Sequence, residues 1–140
     1  MIDTTAVISD HIATWNEREP QQRRALVERM FTENAVYTDP HRSGTGSAEI
    51  DAMIETGQEQ SPGHHIDLTS GPEGHNDSVR FAWQLVGPDG PIGGGTDFGT
   101  LAPDGRLAHV TGLLRPRIVG LTIINANHVL DVRTTRRQRA

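Results

Sequence analysis

The chain contains no cysteine, which excludes disulfide frameworks, thiolate nucleophiles, zinc ribbons and iron–sulfur clusters together; a metal could be held only by His and carboxylates. Lysine is missing as well, and all 13 basic residues are Arg, a bias of composition that points to no mechanism. No window approaches the ~20 apolar residues that a membrane span requires. The start, Met1-Ile2-Asp3, has neither the positive region nor the apolar stretch of a signal peptide, so a cytoplasmic protein with no membrane partner is expected. A basic surface is lacking too: the formal charge is −5, which argues against a nucleic-acid partner. That charge is uneven, since residues 116–140 carry five Arg against Asp131, a net of +4, leaving −9 on residues 1–115. Aromatic residues make up only 4%, yet 34% hydrophobic residues suffice for a core and exclude wholesale disorder.

What is present fits one domain, because 140 residues fall within the usual single-domain range. Val7, Ile8, Ile12 and Trp15 share one helical stripe and predict a first helix over 4–15. Pro20 suits the first position of a second helix, with Leu26, Val27, Met30 and Phe31 on its apolar face, Arg23, Arg24, Glu28 and Arg29 outside, and Asn34 at its end. A short strand over 35–40 follows, in which Tyr37 and Asp39 point the same way. Ser47 would cap a third helix that buries Ile50, Met53 and Ile54 and ends at Gly57 or at Ser61-Pro62-Gly63.

From His64 the hydrophobic period becomes two. Ile66 and Leu68, then Val79, Phe81, Trp83 and Leu85, alternate with polar or small residues. Two Pro-Asp-Gly turns, 88–90 and 103–105, bracket a strand at about 92–102, and a last long strand covers about 106–115. Gly93-Gly94-Gly95 opens no helix and carries no GxGxxG pattern; it reads as a bulge or bend in the sheet. Helices followed by about four antiparallel strands define an α+β plan with the helices packed on one sheet face. Ile118–Ile124 resembles one more strand, and Arg133–Ala140 a solvated, flexible tail.

Two carboxylates stand out. Asp39 lies between an aromatic strand and a proline, and Asp97 sits in the otherwise uncharged run Gly94-Gly95-Thr96-Asp97-Phe98-Gly99. Buried between helices and sheet, such a group would have its pKa raised and serve as a base or acid near neutral pH. Alternatively, Asp39 makes an Asx-turn and Asp97 is an edge-strand surface charge. Of seven His, His65 belongs at a pocket rim. No HExxH or other metal signature occurs.

The aromatic end of the first helix, Phe31-Thr32-Glu33-Asn34-Ala35-Val36-Tyr37-Thr38-Asp39-Pro40, Gly44-Thr45-Gly46-Ser47, Asp97-Phe98 and Pro103-Asp104-Gly105-Arg106 together resemble the nuclear transport factor 2-like superfamily, in the style of its SnoaL-like and ketosteroid isomerase groups. The resemblance implies a cone-shaped fold, three N-terminal helices on a strongly curved antiparallel sheet, enclosing an apolar pocket and often forming a homodimer. It assigns residues 1–117 to the domain and 118–140 to an extension. In the isomerases the base matches Asp39, and a protonated oxyanion-hole carboxyl matches Asp97; in SnoaL-like cyclases the acid–base Asp matches Asp97. The isomerase Tyr of the first helix falls near Trp15. Together with strand parity, the resemblance implies that His109 faces outward and Val110, Gly112 and Leu114 inward. Trp15, Tyr37, Met53, His65, Trp83, Val110 and Leu114 are the expected substrate contacts. The implied activity is cofactor-independent acid–base chemistry, of isomerase, cyclase or dehydratase type, on a small hydrophobic carbonyl compound. The other class is a non-catalytic ligand-binding or dimerisation module on the same fold.

Overall fold

The structure, a computed structural model, describes residues 2–115 throughout and three short strands beyond them by their backbone alone. Asp3 caps the first helix, α1 (Thr4–Asn16), accepting the Ala6 N–H at 3.1 Å. The helix buries Ile8, His11 and Thr14 and leaves Val7, Ile12 and Trp15 half-buried. Its end is tied to the sheet by Asn16, whose side chain bonds both the N–H and the C=O of Ile66, at 2.7 and 2.9 Å.

Helix α2 (Pro20–Met30) has Pro at its first position and Glu19 as its cap. It stops four residues before Asn34, because Phe31 begins strand β1 (Phe31–Thr38) and pairs with Leu107. Burying Phe31 on Leu107 outweighs continuing the helix. A second correction concerns Arg23, expected outside but buried between α2 and α3 (Gly46–Gln60). There α3 presents Asp51, Glu55 and Gln58 on one stripe, and the guanidinium donates to all three, at 2.9, 3.2 and 2.9 Å.

Strand β2 (Ser43–Thr45) leads into α3, which is capped at Thr45 rather than Ser47, with the Thr45 N–H donating to the Glu49 carboxylate at 3.0 Å. The helix runs through Gly57 and ends before Ser61-Pro62-Gly63. Gly57 serves close approach instead: a Cβ there would stand 2.6 Å from the Arg42 guanidinium and 3.2 Å from the Trp15 ring.

The four long strands are β3 (His65–His75), β4 (Ser78–Gly87), β5 (Gly90–Leu101) and β6 (Leu107–Arg115). They form antiparallel pairs in a six-stranded sheet of order β2-β1-β6-β5-β4-β3, in which only β1 and β6 run parallel. A register shift between Leu85↔Gly93 and Val86↔Pro91 places the expected bulge beside the glycine run. The α+β plan thus stands as three helices and this sheet. Ile8, Val27, Phe31, Ile50, Ile54, Phe81, Leu107 and Val110 are the fully buried apolar centre.

Beyond the sheet, β7 (Arg117–Val119), β8 (Thr122–Ile124) and β9 (Val129–Asp131) make a separate three-stranded sheet in that order. The expected single strand over 118–124 is therefore two, paired antiparallel with Ile118 opposite Ile123. The tail from Arg133 lies outside the described residues. Among the described residues no helix is long and apolar enough to cross a membrane.

Candidate active site

Between α1, the end of α3 and the helix-side face of the sheet lies a cavity of about 120 Å³. Apolar side chains, Ile12, Trp15, Ile66, Phe81, Leu85 and Leu114, form most of its wall. Strand parity brings Asp97 to it. On β5, Asp97 has Phe81 and Gly112 as its cross-strand neighbours and is 2% exposed. The Trp83 indole N–H donates to its Oδ1 at 2.9 Å and the Tyr37 hydroxyl to its Oδ2 at 3.2 Å. Burial pushes the Asp97 carboxyl up to about 6; the two donors pull the other way, and the nearby Asp39 charge raises it further. Tyr37 is held far above its ordinary value, by burial first and then by the two carboxylates, so it stays a hydroxyl donor.

Two glycines make room for this arrangement. A Cβ at Gly95 would lie 2.7 Å from the Trp83 ring, and one at Gly112 would lie 2.9 Å from Asp97 Oδ1 and 3.4 Å from Asp39 Cβ. Any side chain at 112 would enter the space between the carboxylates.

Asp39 also lines the cavity, just after β1, and the structure gives it the Asx-turn geometry. Its Oδ1 accepts the N–H groups of His41 and Arg42, at 2.8 and 2.9 Å, and the Arg42 guanidinium stands 3.8 Å from Oδ2. The two carboxylates share one cavity but differ in surroundings: Asp39 is anchored among backbone amides beside a cation, and the donors to Asp97 are neutral.

Of the expected contacts, Trp15, Tyr37, His65, Trp83 and Leu114 lie on this wall. Trp15 is 5.8 Å from Tyr37 between ring centroids. His65 is an exposed rim residue, 3.3 Å from the Asp67 carboxylate. Met53 and Val110 are not brought to the cavity. Val110, opposite Tyr37 and Gly99, is fully buried in the core, and Met53 lies on the side of α3 that faces a neighbouring cleft of about 980 Å³. An inward-facing position can lead to either core or cavity, and those two lead elsewhere.

Residues that the sequence did not single out complete the wall: His11, Asn16, Arg18, Arg42 and Gln58. Arg18 donates to the carbonyls of Gln58, Ser61 and His64 and so fixes the turn after α3. His11 had a signal, since it follows Ile8 by three and precedes Trp15 by four on the buried stripe of α1. Among the described residues no group of three or more His, Asp or Glu gathers as a metal site.

This architecture is the nuclear transport factor 2-like fold. A candidate isomerase of the SnoaL-like family from Agrobacterium tumefaciens is 38% identical, with a TM-score of 0.77 over 79% of this chain and 96% of that one. The chain belongs to the SnoaL-like family. More distant structures share the fold: a candidate polyketide cyclase from Sinorhizobium meliloti (15% identity, TM-score 0.61, 76% and 93% of the two chains) is one. A protein with a ketosteroid isomerase-like fold from Catenulispora acidiphila, solved in complex with trimethylamine, is another (16%, 0.66, 79% and 85%). No family model matches the chain, and no curated protein does.

Proposed function

We propose that the chain is an acid–base enzyme of isomerase, cyclase or dehydratase type that works without a cofactor on a small hydrophobic carbonyl compound. One observation carries this reading: a carboxyl buried in an apolar cavity wall, held by two neutral donors and with a pKa near 6, at Asp97. Such a group takes and returns a proton near neutral pH. The descriptions of two relatives as a candidate isomerase and a candidate polyketide cyclase support the same class. In this reading Asp97 removes a proton from the carbon beside a carbonyl, and the nearby Asp39 charge opposes ionisation of Asp97. Trp15, Tyr37, Trp83 and Leu114 shape the apolar bed, with His65 at the rim. The domain spans 1–117 and works in the cytoplasm, as a cone around its substrate, with 118–140 as an extension. Two copies pair over the outer sheet face, where Phe98 and Leu113 are exposed.

The test is exchange of the α-hydrogens of α-tetralone in deuterium oxide, followed by proton NMR. Asp97→Asn is expected to slow exchange by a factor on the order of 10² to 10⁴. The wild-type rate is expected to rise as pH passes about 6. Unchanged exchange in the variant sinks the assignment. The second reading, a non-catalytic binding or dimerisation module, is favoured by the Asx-turn, which engages the Asp39 carboxylate with backbone amides. It predicts binding of the ketone with no exchange by the wild type.

A further inference from the structure

Proton removal next to a carbonyl leaves negative charge on an oxygen, and that oxygen needs a donor. Tyr37 and Trp83 are already committed to Asp97. The Asn16 amide is engaged with Ile66, and the Gln58 amide with the carbonyls of Trp15 and Glu17. Arg42 is turned towards Asp39 and Gln60. Among the described residues, the buried side-chain nitrogen or oxygen with no hydrogen-bond partner is Nδ1 of His11.

His11 is 1% exposed and its ring is part of the cavity wall. It stacks on Tyr37 at 6.4 Å and meets Phe31 and Phe81 edge-on at 5.6 and 5.4 Å. These rings fix its plane without giving either nitrogen an acceptor or donor. Burial lowers its pKa to about 4, so at neutral pH it is an uncharged imidazole with one N–H and one lone pair. A buried polar atom left alone is costly, and a group arriving in the cavity removes that cost. A neutral imidazole is also a suitable partner for an enolate, because it donates a hydrogen bond without surrendering its proton. Tyr37 touches both His11 and Asp97, which places the two groups on one stretch of wall.

We propose that His11 is the oxyanion donor of this cavity and that the substrate is therefore an enolisable ketone whose oxygen is seated against the His11 imidazole. The inference rests on the assignment of Asp97. The α-C–H bond breaks, its proton passes to an Asp97 carboxylate oxygen, the electron pair forms the C=C bond, and the carbonyl π pair moves onto the oxygen that His11 hydrogen-bonds. Return of a proton from Asp97 to carbon restores the carbonyl with no net oxidation or reduction, and exchange of the Asp97 proton with solvent before that return is what puts deuterium on the carbon.

β-Naphthol, whose hydroxyl on a flat apolar frame imitates an enol, is the probe. Saturating the unmutated protein with it is expected to move the His11 ring-nitrogen NMR signals. His11→Leu, of similar volume without a donor, should bind it about tenfold more weakly, the loss of roughly one hydrogen bond. His11→Gln, which keeps a donor, should bind within about threefold of wild type, a smaller loss than that of a whole hydrogen bond. Unmoved His11 signals at saturation, or equal affinity in His11→Leu, overturn the proposal, and the first readout needs no variant to fold. The Asp97→Asn exchange test separates the two assignments. Exchange that survives in Asp97→Asn while His11 responds to naphthol removes the base; exchange that is lost while His11 is silent removes the oxyanion donor alone.

Discussion

Arg23 and Asp97 are equally buried, each 2% exposed, but the chain surrounds them in opposite ways. Arg23, between α2 and α3, has two carboxylates and an amide within hydrogen-bond reach. Asp97, in the cavity wall, has two neutral donors, and the nearby charge raising its pKa is Asp39, of its own sign. A buried cation with counter-charges is held in one protonation state, so its contribution is to shape. A buried carboxyl without one is held near the balance between two states, which is the condition for proton transfer at neutral pH. The helix interface is built for rigidity, and the cavity keeps an electrostatic conflict unresolved.

Breaking Arg23 should therefore damage the fold and leave the chemistry alone. Arg23→Leu strands Asp51 and Gln58 in the interface, while Glu55, 51% exposed, can turn to water. The expected loss is about 3 kcal/mol, the lower end for a broken buried pair. The shift of the urea midpoint reads it, with α-tetralone exchange per folded molecule unchanged. A loss below ~1 kcal/mol, the level of a surface pair, would end the contrast.

Asp97→Asn should do the reverse. The folded state keeps the Asp97 proton up to about pH 6, whereas the unfolded chain releases it near 3.8, so the wild type loses stability from this group as pH rises through that window. At pH 7 the penalty is about 2–3 kcal/mol, from ~1.36 kcal/mol per pH unit. Asn removes the charge and can keep both the Trp83 and the Tyr37 contact, so the variant should be more stable than wild type above pH 6 and similar near pH 4. His11 acts oppositely: its folded pKa is about 4 against 6.5 unfolded, so its contribution is complete above pH 6.5 and fades as pH falls towards 4. The two slopes offset each other in the wild type, and Asp97→Asn should expose the acid sensitivity due to His11. Urea melts from pH 4 to 8 check the sign; a variant less stable than wild type at pH 7 would show that Asp97 is a structural ion.

The same contrast explains which features were legible in the sequence. The alternation from Ile66 to Leu85 and the two Pro-Asp-Gly turns marked the sheet, because strand faces and reversals are local properties. Asp97 was visible as a lone charge in an uncharged strand. Arg23 was not, and His11 showed only by its place on the apolar stripe of α1, since polar residues on helices default to solvent and the groups that enclose them come from elsewhere in the chain: Asp51, Glu55 and Gln58 for one, Phe31, Tyr37 and Phe81 for the other. The end of α2 was misplaced for the same reason, as Phe31 pairs with a residue of β6. Met53 and Val110 face inward as periodicity implies, but no period distinguishes core from cavity.

Tyr37→Phe tests the finest part of the comparison, the claim that burial lifts Asp97 towards neutrality while its two neutral donors pull it back. The Tyr37 hydrogen bond lowers the Asp97 pKa, against the larger opposing effect of burial. Removing the hydroxyl leaves the ring and its stacking with His11 in place but takes one donor from the ionised carboxylate. A hydrogen bond of about 1 kcal/mol corresponds to ~0.7 pH units, so the midpoint of the exchange-rate profile should move to higher pH by that amount. At pH 6 the rate should fall a few-fold, and at pH 8, where the carboxylate is ionised in both proteins, the difference should shrink. A midpoint that moves to lower pH, or a uniform loss at every pH, would mean that the hydroxyl serves the substrate rather than Asp97, and the division between shape and chemistry would then have to be redrawn around Tyr37.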